Sequence, residues 1–144
     1  MMKILLTGAN GQLGLELTKQ LCRDIRYEVI GTDIYNLDIT DMCAVNEAVK
    51  AVNPDAIINC AAFTNVDACE EYEKLAFQVN ALGARNLALA ACSVNASIIQ
   101  IIFKCCVIFF SVRHCPHMNR IVVKFRFFCF FFPQIKKFNV STIT

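Results

Sequence analysis

Gly8, Gly11 and Gly14 stand at three-residue intervals between two stretches of opposite character, and no other feature limits the fold as strongly. Before them, residues 3–7 (KILLT) form a short apolar run, which reads as a buried strand. After them, Leu13, Leu17 and Leu21 recur at i, i+4 and i+8 with Gln12, Glu16 and Gln20 between, the pattern of a helix with one apolar stripe. A strand must therefore turn tightly into a helix on bare backbone.

The unit continues in the same style. Residues 27–33 (YEVIGTD) read as a second strand ending in a carboxylate. Val45, Val49 and Val52 recur at helical spacing, so residues 41–52 are predicted as a helix, stopped by Asn53-Pro54-Asp55. Residues 56–59 (AIIN) give a third strand. Asp67 and Glu70 have the spacing of a capping box and open one long helix to about Cys92. Its small residues, among them Ala76, Ala81, Gly83 and Ala90, permit close approach to a sheet. Residues 97–102 (SIIQII) read as a fourth strand. The alternation predicts an α/β fold, a parallel sheet with right-handed βαβ crossovers.

Composition splits the chain in two. The net charge of its 144 residues is +2, but all 12 acidic residues lie at or before Glu73. Residues 1–98 hold seven basic residues against those twelve, a net −5, whereas residues 99–144 hold seven basic and no acidic residue, a net +7. Residues 99–144 also hold 10 of the 12 Phe and lack Gly, Ala and Leu. The 56% hydrophobic content excludes a wholly disordered chain. The N-terminus shows no apolar region followed by a small-residue cleavage site, so the nine Cys are expected as reduced thiols in the cytoplasm, with Cys22, Cys43 and Cys92 buried on helices.

The glycines suggest a ligand. A G-x-x-G-x-x-G turn between strand and helix lets the backbone approach a pyrophosphate, with Gly8 making the turn, Gly11 clearing the phosphate and Gly14 packing the helix close. Free N–H groups around Gly11, Gln12 and Leu13 would face the anion, helped by the helix dipole. An ordinary Gly-rich turn would read the same in isolation. Asp33 adds to the pattern: it ends the second strand 19 residues after Gly14, near the offset at which an acid meets ribose hydroxyls. No Lys or Arg follows before Lys50 to receive a 2′-phosphate, which favours NAD(H) over NADP(H). Asp38 and Ile39 lie in the following loop, where they contact an adenine ring, or where Asp38 or Thr40 caps the next helix. Asn59-Cys60-Ala61-Ala62 falls at the carboxyl end of the third strand, where small residues leave room for a cofactor.

Four segments, MKILLTGANGQLGLEL, LDITD, NPDAIINCAAFTNVDACE and VNALGARNLA, together resemble the extended short-chain dehydrogenase/reductase superfamily. Within it they resemble the dTDP-4-dehydrorhamnose reductase family, over roughly residues 2–100. The resemblance implies a partial, Rossmann-like domain over 1–102 that binds NAD(H) or NADP(H). It implies reduction of the C4 keto group of a dTDP-activated 6-deoxyhexose toward dTDP-L-rhamnose. By position it makes Gly8, Gly11, Gln12, Leu13 and Gly14 the dinucleotide turn, Asp38 and Ile39 the adenine loop, Ala61, Ala62 and Thr64 the cofactor-facing end of the third strand, and Asn80 a residue near the nicotinamide half. The superfamily's chemistry rests on a Tyr-x-x-x-Lys, whose Tyr donates the proton and whose Lys lowers its pKa. Here Tyr27, Tyr35 and Tyr72 are followed four residues later by Gly31, Ile39 and Ala76. No catalytic residue is therefore assigned, and the chain is expected to be a truncated or frameshifted form without turnover.

Residues 103–144 form an unclassified Phe/Ile/Lys-rich tail, expected to be out of frame or unstructured and, through residues 127–132, prone to aggregate. The apolar run 98–112 is 15 residues long and interrupted by Gln100 and Lys104, short of the ~20 that a membrane span needs. A non-catalytic dinucleotide-binding or membrane-associated fragment is the alternative. No nucleic-acid module pattern occurs. Cys105, Cys106, His114, Cys115 and His117 cluster without a C-x-x-C pair, so no metal site is expected. Cys60 and Cys69 lack a nearby His for nucleophilic catalysis.

Overall fold

The structure, a computed structural model, describes residues 1–101. Four parallel strands make one sheet: β1 (Met2–Thr7), β2 (Tyr27–Thr32), β3 (Ala56–Asn59) and β4 (Ser97–Gln100), in the order β2-β1-β3-β4. Between them run α1 (Gln12–Leu21), α2 (Met42–Val52), α3 (Val66–Glu71), α4 (Glu73–Phe77), a π-helical turn Gln78–Gly83, and α5 (Ala84–Ser93). The parallel α/β architecture is the expected one. The tail, including its Cys/His cluster and the apolar runs within it, lies outside the described residues.

The sheet is apolar on both faces because helices cover both. On one face Ile4, Leu6 and Ile58 pack under α1 through Leu17 and Leu21. On the other, Leu5 and Ile57 meet Val45 and Val49 of α2 and Leu87, Ala90 and Ala91 of α5. The chain steps from β1 to β2 in one direction with α1 on one face. It then steps back past β1 to β3, and on to β4, with α2 and α5 on the other. Crossovers of one hand require opposite faces for opposite directions. The register aligns the carboxyl ends: Thr7 pairs with Thr32 and Asn59, and Asn59 with Gln100.

Several local expectations change. The fourth strand is seen over Ser97–Gln100, with Ile101 N donating to Asn59 O at 3.1 Å, and residue 102 lies outside the described residues. Neither Asp38 nor Thr40 caps α2. Asp41 does, accepting from Cys43 N at 2.8 Å and Ala44 N at 3.1 Å. The capping box at Asp67 and Glu70 is not formed; Asn65 caps α3, accepting from Ala68 N at 3.1 Å. The single long helix is broken at Tyr72 (φ −119°, ψ 48°) and widened by the π turn, where Asn80 and Gly83 make tertiary contacts with Phe63 and Ile39. Cys22 and Cys43 are exposed and Cys92 half-buried, so these three are not core residues, whereas Cys69 on α3 is buried.

Candidate functional site

The carboxyl ends of β1 and β3 flank the point where the strand order reverses, the place ligands occupy in open α/β sheets. The glycine turn fills this position. Gly8 has φ +70°, and a Cβ there would lie 2.5 Å from Ala61 N, so the turn is both left-handed and pressed against the end of β3. A Cβ on Gly14 would collide with Gly8 O and with Ala9, so the helix can sit this close only without a side chain.

Ala9 N donates to Thr32 O at 2.9 Å, Asn10 N to the Asp33 carboxylate at 2.8 Å, and Gly11 N to Gly8 O at 3.1 Å. The Gly11 amide is thus engaged within the turn, and the N–H groups left to meet an anion are those of Gln12 and Leu13 in the first turn of α1. Gly11 supplies no side-chain cap there, whereas Asp41 caps α2 and Asn65 caps α3. An uncapped positive helix end over a glycine turn is a cradle for phosphate.

Asp33 closes the β2 side. Its second oxygen accepts from Ile34 N at 2.8 Å, and its own N–H donates to Asn36 Oδ1 at 2.6 Å. Each carboxylate oxygen holds one main-chain donor and retains a lone pair for a hydroxyl. Asp38 is exposed and accepts from Thr40 N and Thr40 Oγ1, both at 2.8 Å. Ile39 is buried in the core, so only its main chain is available to a ligand.

On the β3 side, Ala61 and Ala62 are half-buried and Thr64 is exposed. Asn80 reaches this segment from the π turn. Its Oδ1 accepts from Phe63 N at 2.8 Å and its Nδ2 donates to Phe63 O at 3.0 Å. Beneath lies a buried polar chain: Asn59 Oδ1 accepts from Thr7 Oγ1 at 2.6 Å and Ala61 N at 3.0 Å, while its Nδ2 donates to Gln100 Oε1 at 2.8 Å. Burial raises the Cys60 thiol to about 11, which keeps it protonated and poorly nucleophilic.

The turn, Asp33 and Ala61–Ala62 come together at the carboxyl end of the sheet. Asn59 belongs to the segment expected at this strand end, whereas Gln100 and Asn86 are site residues that the sequence reading does not assign. For Asn86 a signal existed: it falls on the apolar stripe Gly83, Leu87, Ala90, Ala91, where a polar residue calls for a buried partner. A separate open hollow of about 550 Å3 lies along α3 and α4, but Glu70, Glu71 and Glu73 against Lys74 make it unfit for an anion. Among the described residues no acid, Cys or His cluster could hold a metal, and no helix is long and apolar enough to cross a membrane.

A parallel sheet with a glycine turn at its reversal point and an acid ending the neighbouring strand defines a Rossmann-like α/β protein. More narrowly, the chain belongs to the RmlD substrate binding domain family, whose model matches residues 2–103. It is 42% identical over 101 residues to a dTDP-4-dehydrorhamnose reductase of Aggregatibacter actinomycetemcomitans, covering 70% of this chain and 34% of that protein. The solved dTDP-4-dehydrorhamnose reductase of Clostridium acetobutylicum matches at 56% identity and a TM-score of 0.67, over 69% of this chain and 35% of that one. The Bacillus anthracis reductase, solved in complex with NADP, matches at 41% identity and a TM-score of 0.66, over 68% of this chain and 35% of that one. The chain thus spans about a third of the length of these relatives.

Proposed function

We propose that these residues form the NAD(P)H-binding part of a dTDP-4-dehydrorhamnose reductase. The observation that carries the reading is the uncapped N-terminus of α1 over the positive-φ Gly8 turn. The Gln12 and Leu13 amides would receive the pyrophosphate, and Asp33 the adenosine ribose hydroxyls. Asp38 and the Ile39 main chain would flank the adenine, and Ala61, Ala62 and Thr64 the nicotinamide half. When bound, the reduced nicotinamide supplies hydride for the C4 carbonyl of a dTDP-4-dehydro-6-deoxyhexose. The 144 residues contain no Tyr-x-x-x-Lys to donate the accompanying proton, so binding without turnover is the behaviour proposed for them alone.

Titration of the purified chain with NADH, followed by calorimetry, tests the reading. Saturable 1:1 binding is expected, and Gly14→Val should weaken it at least tenfold, with circular dichroism checking that the variant folds. Absence of binding by the folded wild-type chain overturns the proposal. A parallel assay with the dTDP-keto sugar should show no NADH oxidation, and measurable turnover would refute the inactivity.

A further inference from the structure

We infer that Asn80 and Asn86 are positioning residues, each fixing from behind one of the two loops between which the dinucleotide lies, and each serving a different half of it. This inference rests on the dinucleotide reading above. Both residues belong to one helical element, on either side of Gly83 at the end of the π turn.

Asn86 is buried at 4% exposure, and its Nδ2 donates to two successive carbonyls, Ile39 O and Thr40 O, each at 3.1 Å. Those carbonyls belong to the loop that carries Asp38, on the β2 side with Asp33. Gly83 sets the same loop from one turn earlier: a Cβ there would stand 2.6 Å from Ile39 Cδ1, so the Ile39 side chain occupies the space the glycine leaves. Asn80 works on the β3 side. Its amide pairs with both the N–H and the C=O of Phe63, fixing the peptide planes on either side of it, between Ala62 and Thr64. Cys69 Sγ adds a contact to the same carbonyl at 3.6 Å.

The geometry divides the labour. The phosphate cradle stands over β1, in the middle of the sheet. Asp33 and the Asp38–Thr40 loop lie toward β2, the adenosine side, while Ala61–Thr64 lie toward β3 and β4, the nicotinamide side. Asn86 therefore governs the adenosine half and Asn80 the nicotinamide half. The π turn sets the separation between them, since its extra residue displaces Asn80 relative to Asn86 along and around the helix.

The test compares ADP-ribose, which lacks the nicotinamide, with NADH on the full 144-residue chain, alongside thermal unfolding. Asn80→Ala should weaken NADH about tenfold, through the loss of two part-buried hydrogen bonds, and leave ADP-ribose within about twofold. Asn86→Ala should weaken both ligands about tenfold. Asn86→Asp should be worse than Asn86→Ala, because it turns a carboxylate toward two carbonyls. Asn80→Asp keeps the acceptor for Phe63 N but sets its other oxygen against Phe63 O, so it should not restore NADH binding to the wild-type level. Equal losses of both ligands in Asn80→Ala, or losses in both variants that merely follow the drop in melting temperature, would overturn the inference while leaving the dinucleotide reading intact. A folded wild-type chain that binds neither ligand would sink both.

Discussion

Single residues decide whether the phosphate cradle exists. Gly8 combines a φ of +70° with contact to Ala61 N. Gly8→Ala should therefore cost about 1–3 kcal/mol from backbone strain alone, measured by urea unfolding, and more once Ala61 is displaced. Asp33 bears on cofactor choice. With the carboxylate held by Asn10 N and Ile34 N, a 2′-phosphate would meet a fixed negative charge. Asp33→Ser is expected to weaken NADH about tenfold and to shift the NADH-to-NADPH affinity ratio toward NADPH; an unchanged ratio would remove Asp33 from that role. Cys60 makes a pH prediction. Its folded pKa of about 11 exceeds the ordinary 9.0 because burial disfavours the thiolate. Its contribution to stability is full below pH 9 and is lost as pH rises toward 11. Denaturation curves over that window should show wild type losing on the order of 1–2 kcal/mol more than Cys60→Ala, a figure discounted for partial exposure.

At the scale of elements, the contrast between helix starts has measurable consequences. Asp41 accepts two main-chain bonds at the head of α2, so Asp41→Ala should destabilise the protein by about 1 kcal/mol in chemical denaturation. The strands and the first two helices were legible because their periodicity is undisturbed: KILLT and AIIN are buried runs, and Val45 and Val49 face the core as their spacing requires. Helix α3 onward was legible only as helical content. The π turn coincides with bonds between Asn80 and Phe63 and with Ile39 in the space beside Gly83, partners distant in sequence. The Asp67–Glu70 pattern failed for a local reason, since Asn65 two positions earlier offered a competent cap first. Within the candidate site, the glycines and Asp33 carry a short-range signature. Asn86 shows in the sequence only as a polar residue on an apolar stripe, with nothing to name its partners Ile39 and Thr40, because those are set by the packed fold.

At the largest scale, two helical layers of unequal weight cover the sheet among the described residues. The α2 and α5 side holds the larger buried cluster, with Leu87 fully enclosed among Leu5, Ile57 and Val49. Leu87→Ala should cost about 2–5 kcal/mol, visible as a lower urea midpoint with an unchanged slope. The α1 side is thinner. Helix α1 buries one residue, Gly14, where α5 buries four. Local opening follows the weakest packing, so native-state deuterium uptake should reach the amides of α1 well before those of α5. A dinucleotide seated on Gln12 and Leu13 would then slow uptake in α1 more than anywhere else, and the protection pattern of that one helix becomes a direct reporter of occupancy.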